Sequence, residues 1–514
     1  MTAIRTQKKP AEAAFLCTAF IFLLFFAGLA DYLCAVVPWA VRAYMPGIGD
    51  TGAALATAAA VALYAAAFIL LYLGMRRLIR GSAFPGIREK IRAGGDGRNV
   101  VLLLAVTAVP RIIWLLAGSP PIVSDYALYA AMGREYAETG TLAIGDYILK
   151  IASNVPLYTV LLGCVMRVAG TSAAAAQGFC LLLHTASVLL LYGTGRNLTT
   201  RGRAMAAALL FSLLPENIFY AALPGIEAPA MFTMLAGLLL ITGTVRRKTA
   251  AAQVLTGIAG GGLLAFSACL RPNAWAAAAA AAAWLICRFR RRIPARRIIT
   301  LLAAAAVGAA GVTAWHHAFR DRIFTGEKPA GMALGWPLYE GLDLENAGQW
   351  TAEKSARCGE VIAQYSAEES DRIFMTEALE RFRGYSFTEK IRMFLRKGGA
   401  MWMCSLYAVG GDANDGVRFI LPTVLALVSW AAFLMLWMAC LVFRGRHPSA
   451  GRDDRLGCGL CLAVILLTAL WHEFGTSISR YHYMVIPFMA LMTAMMAPSS
   501  PERREPARQS APPQ

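Results

Sequence analysis

Several ionisable residues of this sequence stand where long apolar runs begin or end. Asp125 follows one such run, Glu227 follows a Pro-Gly pair, Arg271 ends another run, and Arg480 and Tyr481 precede the last one. A carboxylate in this position can face water or a metal and act as a general base without lying in hydrocarbon. An arginine at a low-dielectric boundary is well matched to a phosphate group. The pattern therefore predicts a site at one membrane surface, with acids for chemistry and arginines for an anion.

The same residues have purely structural interpretations. Asp125 and Glu227 are each compatible with a role as a helix N-cap. Arg271 and Arg480 are also typical of side chains that anchor a helix at the membrane interface. His472-Glu473 begins an H-E-x-x-H pattern, but Thr476 stands where the second histidine would be, so zinc-protease chemistry is not expected.

The composition indicates a membrane protein. Of 514 residues, 58% are hydrophobic and 16% are charged, whereas a soluble chain averages about 25% charged residues. The apolar runs are too long for the strands of a membrane β-barrel, which span in about 10 residues. The 11 cysteines lie mostly within apolar runs, and the lone C-x-x-C at Cys458 and Cys461 has no second pair, so neither a disulfide framework nor a structural metal is predicted.

The formal net charge of +18 reports topology. The basic residues cluster in short segments between apolar runs, as in Arg76–Arg98, Arg246–Lys248 and Arg288–Arg297. This is the arrangement of cytoplasmic loops, and it lacks the aromatic-interleaved basic face of a nucleic-acid partner. Residues 317–390 instead carry 13 acidic and 9 basic side chains, which predicts that this segment lies outside the cell.

We therefore predict an all-α polytopic protein of the cell membrane, with about 12–14 transmembrane helices and with both termini cytoplasmic. The predicted regions are an N-terminal helical hairpin with a basic cytoplasmic loop (1–98), a transmembrane core (99–317) containing a first external loop (118–152), an external segment with amphipathic helices (318–410), C-terminal transmembrane helices (411–500) and a disordered cytoplasmic tail (501–514). Two points stay open, namely the number of crossings between 153 and 195 and whether 391–410 is a surface helix or a short span.

Short motifs in chain order resemble the GT-C superfamily of membrane glycosyltransferases. The resemblance is to glycosyltransferase family 39, which contains the protein O-mannosyltransferases, and to the related aminoarabinose transferase of lipid A. It covers roughly residues 99–495. The sequence departs from the mannosyltransferase branch where Tyr126 follows Asp125, because that branch has an acidic pair there. The motifs that carry the resemblance are Ser124-Asp125-Tyr126-x-x-Tyr129, Leu214-Pro215-Glu216, Ile226-Glu227-Ala228-Pro229, Arg271-Pro272 and Arg480-Tyr481.

The resemblance implies a GT-C-like core and a specific chemistry. A sugar would pass, with inversion, from a polyprenyl-phosphate donor to a cell-envelope acceptor at the outer face of the cytoplasmic membrane. Asp125 would be the general base or would bind a divalent metal, which the sequence does not decide. Arg271 and Arg480 would bind the phosphate, Glu227 would orient the acceptor, and Tyr481 would contact substrate.

Two other functions use the same helical frame. A transporter or lipid flippase would place charged residues deep within the spans, where Asp31 and Arg111 are among the few candidates. It would also leave the polar external segment without a role. A scaffold without catalytic activity is the third possibility.

Overall fold

A computed structural model describes residues 95–117, 122–142, 154–289, 294–323, 334–405, 420–444 and 452–497, with a few isolated positions before residue 63 and Ala152. The predicted N-terminal hairpin, nearly all of the basic loop and the 501–514 tail lie outside these residues. The predicted total of about 12–14 spans is therefore not tested.

The described residues form seventeen α-helices, joined in places by short 3₁₀ helices. The first ten are α1 (Asp96–Leu116), α2 (Ser124–Thr139), α3 (Val155–Ala169), α4 (Ala173–Leu198), α5 (Arg201–Leu213), α6 (Pro215–Tyr220), α7 (Glu227–Gly243), α8 (Ala250–Leu270), α9 (Trp275–Phe289) and α10 (Ala295–Ile323). The others are α11 (Gly335–Gly341), α12 (Ala352–Gln364), α13 (Ala367–Gly384), α14 (Phe387–Met401), α15 (Ile420–Arg444), α16 (Arg452–Phe474) and α17 (Ile486–Met496).

Six of the described helices are long and apolar enough to cross a membrane, namely α1, α4, α8, α10, α15 and α16. Long lipid-facing helices satisfy their own backbone hydrogen bonds, which is what an apolar solvent requires. The protein is therefore an all-α, multi-pass membrane protein, as the composition predicts.

The helices run between two ends, and we call one of them the basic end. There α4, α7 and α9 finish and α5, α8 and α10 begin. Its contacts include Arg246 Nη2 donating to the Arg196 carbonyl over 3.3 Å and Arg203 paired with Asp454. We call the opposite end, where α1 finishes and α2 and α7 begin, the site end.

Between 153 and 195, α4 is long and apolar enough to cross a membrane, whereas α3 is a shorter apolar helix. Helix α3 starts at the site end, where Asn154 Nδ2 donates to the Leu270 carbonyl over 2.8 Å. It then packs along α2, and near its finish Arg167 Nε donates to the Ala137 carbonyl over 3.1 Å. Helix α4 alone reaches the level of Asn99, near the start of α1, through Tyr192. The α3 segment therefore stays beside the polar helix α2.

Glycines fix the separation of α8 and α10. A Cβ on Gly261 would lie 2.0 Å from the Ala305 carbonyl oxygen, and one on Gly308 would lie 1.9 Å from the Ile258 carbonyl oxygen. Only glycine allows backbones to approach so closely, the usual device for packing helices in lipid. This contact sets the position of the α8 C-terminus, which leads into Arg271.

Helices α11 to α14 pack around a separate apolar cluster that includes Trp336, Tyr339, Phe374 and Met393. The predicted capping box Ser366–Glu369 is present and opens α13. Helix α14 has 15 residues and is amphipathic, with Met393 buried and Phe387 exposed. At 15 residues it is shorter than the roughly 20 residues that a membrane-spanning helix needs.

Candidate functional site

Asp125 forms an ion pair with Arg480. Arg480 Nη2 donates to Asp125 Oδ2 over 2.5 Å, and their side chains are 8% and 28% exposed, respectively. Asp125 is the second residue of α2, whose N-cap position is Val123, and no side chain caps the helix. Asp125 is therefore not an N-cap, and its carboxylate is directed at the guanidinium.

The backbone next to Asp125 is strained. Ser124 has a φ of 56°, in the left-handed region that non-glycine residues seldom adopt. Such a conformation costs on the order of 1 kcal/mol or more and persists where the surroundings impose it. Here it turns the chain sharply into α2 and directs the carboxylate that follows.

Glu227 forms the second ion pair, with Arg271. Glu227 is the first residue of α7, and Arg271 follows the last residue of α8. Arg271 Nη2 donates to Glu227 Oε1, and the side chains are 12% and 1% exposed. Burial would lower the pKa of Arg271, but the Glu227 carboxylate holds it above its usual range.

Tyr481 joins the two pairs. The Cζ atoms of Arg271 and Arg480 lie 5.4 Å and 5.6 Å from the centre of its ring, within cation–π range. His472 stacks on the same ring with 4.5 Å between centroids. His472 Nδ1 donates to the Thr476 carbonyl over 3.0 Å. This bond holds the loop after α16 against the stacked rings of His472 and Tyr481.

Glu340, from helix α11, reaches the same region. It is 6% exposed, and Thr476 Oγ1 donates to its Oε2 over 2.8 Å. Burial raises the pKa of Glu340 to about 7, with the charge of Asp125 adding to the shift and Arg480 opposing it. A carboxyl group that titrates near neutral pH therefore lies within electrostatic range of the Asp125–Arg480 pair.

Two buried lysines hold the backbone around Glu340. Lys397 Nζ donates to the carbonyls of Gly341, Glu473 and Gly475 over 2.7, 2.5 and 2.8 Å. Lys354 Nζ donates to the Gln349 carbonyl over 2.8 Å. The Lys397 bonds join α11 and α14 to the end of α16, and the Lys354 bond fixes the loop between α11 and α12.

The backbones themselves touch at this attachment. A Cβ on Gly341 would lie 2.4 Å from the Gly475 carbonyl oxygen. No side chain fits there, so the contact requires glycine.

A chain of aromatic residues leads from the ion pairs toward the helical core. Tyr126 and Tyr220 share a hydrogen bond of 2.5 Å between hydroxyls. Tyr220 stacks on Tyr483 with 4.2 Å between centroids, and Tyr483 donates to Asn217 Oδ1. These contacts form a rigid, fully buried floor under the site.

Glu216 and His482 form a third pair of ionisable side chains, and it is less exposed than the two ion pairs. Glu216 Oε1 lies 2.9 Å from His482 Nε2 and accepts from the Ser405 amide over 2.9 Å. The imidazole stacks on Trp430 with 4.2 Å between centroids. Both side chains are fully buried, so the pair fixes the 3₁₀ turn Ser479–Val485 that carries Arg480.

The described residues do not fit a divalent metal. Asp125 and Glu227 each bond to a guanidinium, whose charge competes with a cation for the same oxygens. Within the described part of the chain, no three or more His, Cys, Asp or Glu residues group in a way that would hold a metal ion.

The structure therefore brings the residues singled out from the sequence into one region, with Asp125 on Arg480, Glu227 on Arg271, and Tyr481 beside both arginines. Sequence reasoning did not place Glu340 or Thr476 in the site. Glu340 stands in a segment rich in acidic residues, where nothing in the sequence marks one of them as buried.

Comparison with known proteins gives little beyond this geometry. No protein-family model matches the chain, and no curated protein matches it. The crystal structure of ArnT from Cupriavidus metallidurans bound to undecaprenyl phosphate is similar with a TM-score of 0.34 and 13% sequence identity, over 78% of this chain and 77% of that chain. Similarity at this level does not establish a shared family.

Proposed function

We propose that this protein is a glycosyltransferase that moves a sugar from a polyprenyl-phosphate donor to a hydroxyl-bearing acceptor at the outer face of the cytoplasmic membrane. The observation that carries the proposal is the pairing of two guanidinium groups with two carboxylates at one end of a bundle of apolar helices. A lipid-linked phosphosugar has the complementary form, with a tail for the bilayer and a charged head for this boundary.

The arginines suit the leaving group. Arg271 and Arg480 are planar donors at a low-dielectric boundary, which favours bonds to phosphate oxygens. Negative charge grows on the phosphate as its bond to the sugar breaks. Two fixed guanidinium groups stabilise that charge in the transition state more than in the ground state, which accelerates the reaction.

The acids suit the acceptor. In the proposed reaction the acceptor oxygen attacks the anomeric carbon, the bond from that carbon to the phosphate oxygen breaks, and Asp125 takes the acceptor proton. The configuration inverts because the attack is direct. In the resting state Asp125 bonds to Arg480, so a phosphate that binds Arg480 would also release the carboxylate for this role.

The alternative, a transporter or flippase, has less support. The paired charges lie at the helix ends. Arg111 is buried inside α1, yet its Nη1 donates to the carbonyls of Thr107 and Ser212 over 2.8 and 3.2 Å. That arrangement ties two helices together and favours a structural role over an ion pathway.

The test uses the purified full chain in lipid nanodiscs with a panel of polyprenyl-phosphate hexoses and pentoses and a cell-envelope extract. We expect release of polyprenyl phosphate and transfer of the sugar. Asp125→Asn is expected to lower the rate at least about 100-fold, the usual effect of losing a general base.

Glu138→Gln is the matched control, because Glu138 lies exposed on the same helix. It should leave the rate unchanged. Absence of transfer from every donor would refute the enzyme proposal, whereas an active Asp125→Asn variant would refute only the role of Asp125.

A further inference from the structure

A cavity of about 500 Å³ lies at the basic end, between the start of α8 and the start of α10. It is lined by Ala250, Gln253, Val254, Pro294, Arg296, Arg297, Thr300 and Leu301. Arg296 and Arg297 are the charged members of this described lining, and none of these lining residues is acidic, so the recess is cationic.

The cavity is built from a fixed polar group. Gln253 is 3% exposed, and its Nε2 donates to the Arg247 carbonyl over 2.8 Å. Its Oε1 then accepts from Arg297 Nε over 3.0 Å. Both ends of the buried amide are therefore engaged, and the bond from Nε holds the guanidinium of Arg297 at the cavity.

The rest of the lining indicates a ligand with an apolar part. Val254 and Leu301 contribute aliphatic wall beside the arginines. Close to them on the same two helices, Leu255 and Ile299 are 66% and 64% exposed, as expected for surfaces that face acyl chains. A free phosphate would use the arginines alone, whereas a phospholipid would use both surfaces.

From this juxtaposition we propose that the cavity binds the headgroup of an anionic phospholipid from the cytoplasmic leaflet, with the phosphodiester on Arg296 and Arg297. Basic pockets between membrane helices on the cytoplasmic side are suited to such headgroups. The cavity is separate from the glycosyl-transfer site, because α8 joins them and its 21 residues span about 30 Å at 1.5 Å per residue.

The experiment measures binding to the purified full chain in an uncharged detergent by native mass spectrometry. The probes are dioctanoyl phosphatidylglycerol, dioctanoyl phosphatidylcholine and inorganic phosphate. We expect phosphatidylglycerol to bind and phosphatidylcholine to bind much more weakly. The double variant Arg296→Gln/Arg297→Gln is expected to bind phosphatidylglycerol about 25-fold more weakly, from about fivefold per basic residue.

Arg134→Gln/Arg383→Gln is the matched control, because it removes two exposed arginines outside the cavity. It should bind like the wild type. Gln253→Leu keeps both charges but releases Arg297, and should give an intermediate loss. Equal binding by the double variant and the wild type would overturn the proposal, and so would inorganic phosphate that displaces the lipid at millimolar concentration. Neither result depends on sugar transfer.

Discussion

Arg480 makes several of the contacts that define the site, and its shape matters as much as its charge. One nitrogen holds Asp125, and the planar group lies near the rings of Tyr126 and Tyr481. Burial would lower the pKa of Arg480, but Tyr481 and Asp125 raise it well above its usual range. The guanidinium of Arg480 is therefore charged at neutral pH.

Arg480→Lys tests the importance of that shape. Lysine keeps the charge but cannot form the planar fork. Loss of one charge-assisted bond, worth about 1.5–3 kcal/mol, should raise the KM for the polyprenyl-phosphate donor by about tenfold or more. Arg134→Lys, an exposed site on α2, is the control. An unchanged KM would show that Arg480 does not contact the donor.

Glu340→Gln gives a pH-dependent difference in stability. The pKa of Glu340 is raised from 4.5 to about 7 by burial, so the folded state favours the neutral carboxyl. The resulting contribution to the free energy of unfolding is fully present below pH 4.5 and is lost as the pH rises to about 7. Glutamine stays neutral throughout.

The thermal unfolding temperature of Glu340→Gln, relative to the wild type, should therefore rise between about pH 5 and pH 7 and then stay constant. The difference corresponds to at most about 3 kcal/mol at 1.36 kcal/mol per pH unit. A constant difference from pH 5 to pH 8 would show that Glu340 is already ionised at pH 5.

At the scale of elements, α14 holds the segment of helices α11 to α13 against the end of α16 through Lys397. Lys397→Met keeps most of the side-chain volume but leaves three buried carbonyls without this donor. Each unsatisfied group costs about 1–3 kcal/mol, so the unfolding temperature should fall by about 5 °C or more. Transfer activity should fall as well, because Glu340 and Thr476 lose their support.

Lys390→Met is the matched control for that change. Lys390 lies on the same helix, and its Nζ lies over the Phe382 ring, 5.0 Å from the ring centre. Its loss should lower the unfolding temperature only slightly. A comparable fall in both variants would mean that the Lys397 bonds are not what attaches the segment.

The sequence was most informative about where helices end, and least informative about which side chains pair at those ends. Apolar runs located α1, α4 and α8, because lipid and water impose opposite compositions. The pairing of Asp125 with Arg480 spans 355 positions and could only be guessed from shared helix ends. Glu340 was missed because an acid in an acidic segment gives no sign that it will be buried.

At the scale of the whole molecule, the orientation in the membrane can be measured directly. The excess of basic residues at one end predicts that this end is cytoplasmic. In a background with the native cysteines replaced, Glu368→Cys should react with an impermeant maleimide in intact cells. Lys248→Cys should react only after permeabilisation, and the opposite pattern would refute the proposed outer location of the site.

The turn between α16 and α17 has a length that cannot vary freely. Ser479–Val485 is a 3₁₀ helix, in which each residue advances the direction of its side chain by about 120°. Arg480, His482 and Tyr483 face three different partners from this turn. One inserted residue would send every later side chain toward the wrong partner, although connections between helices usually tolerate such insertions.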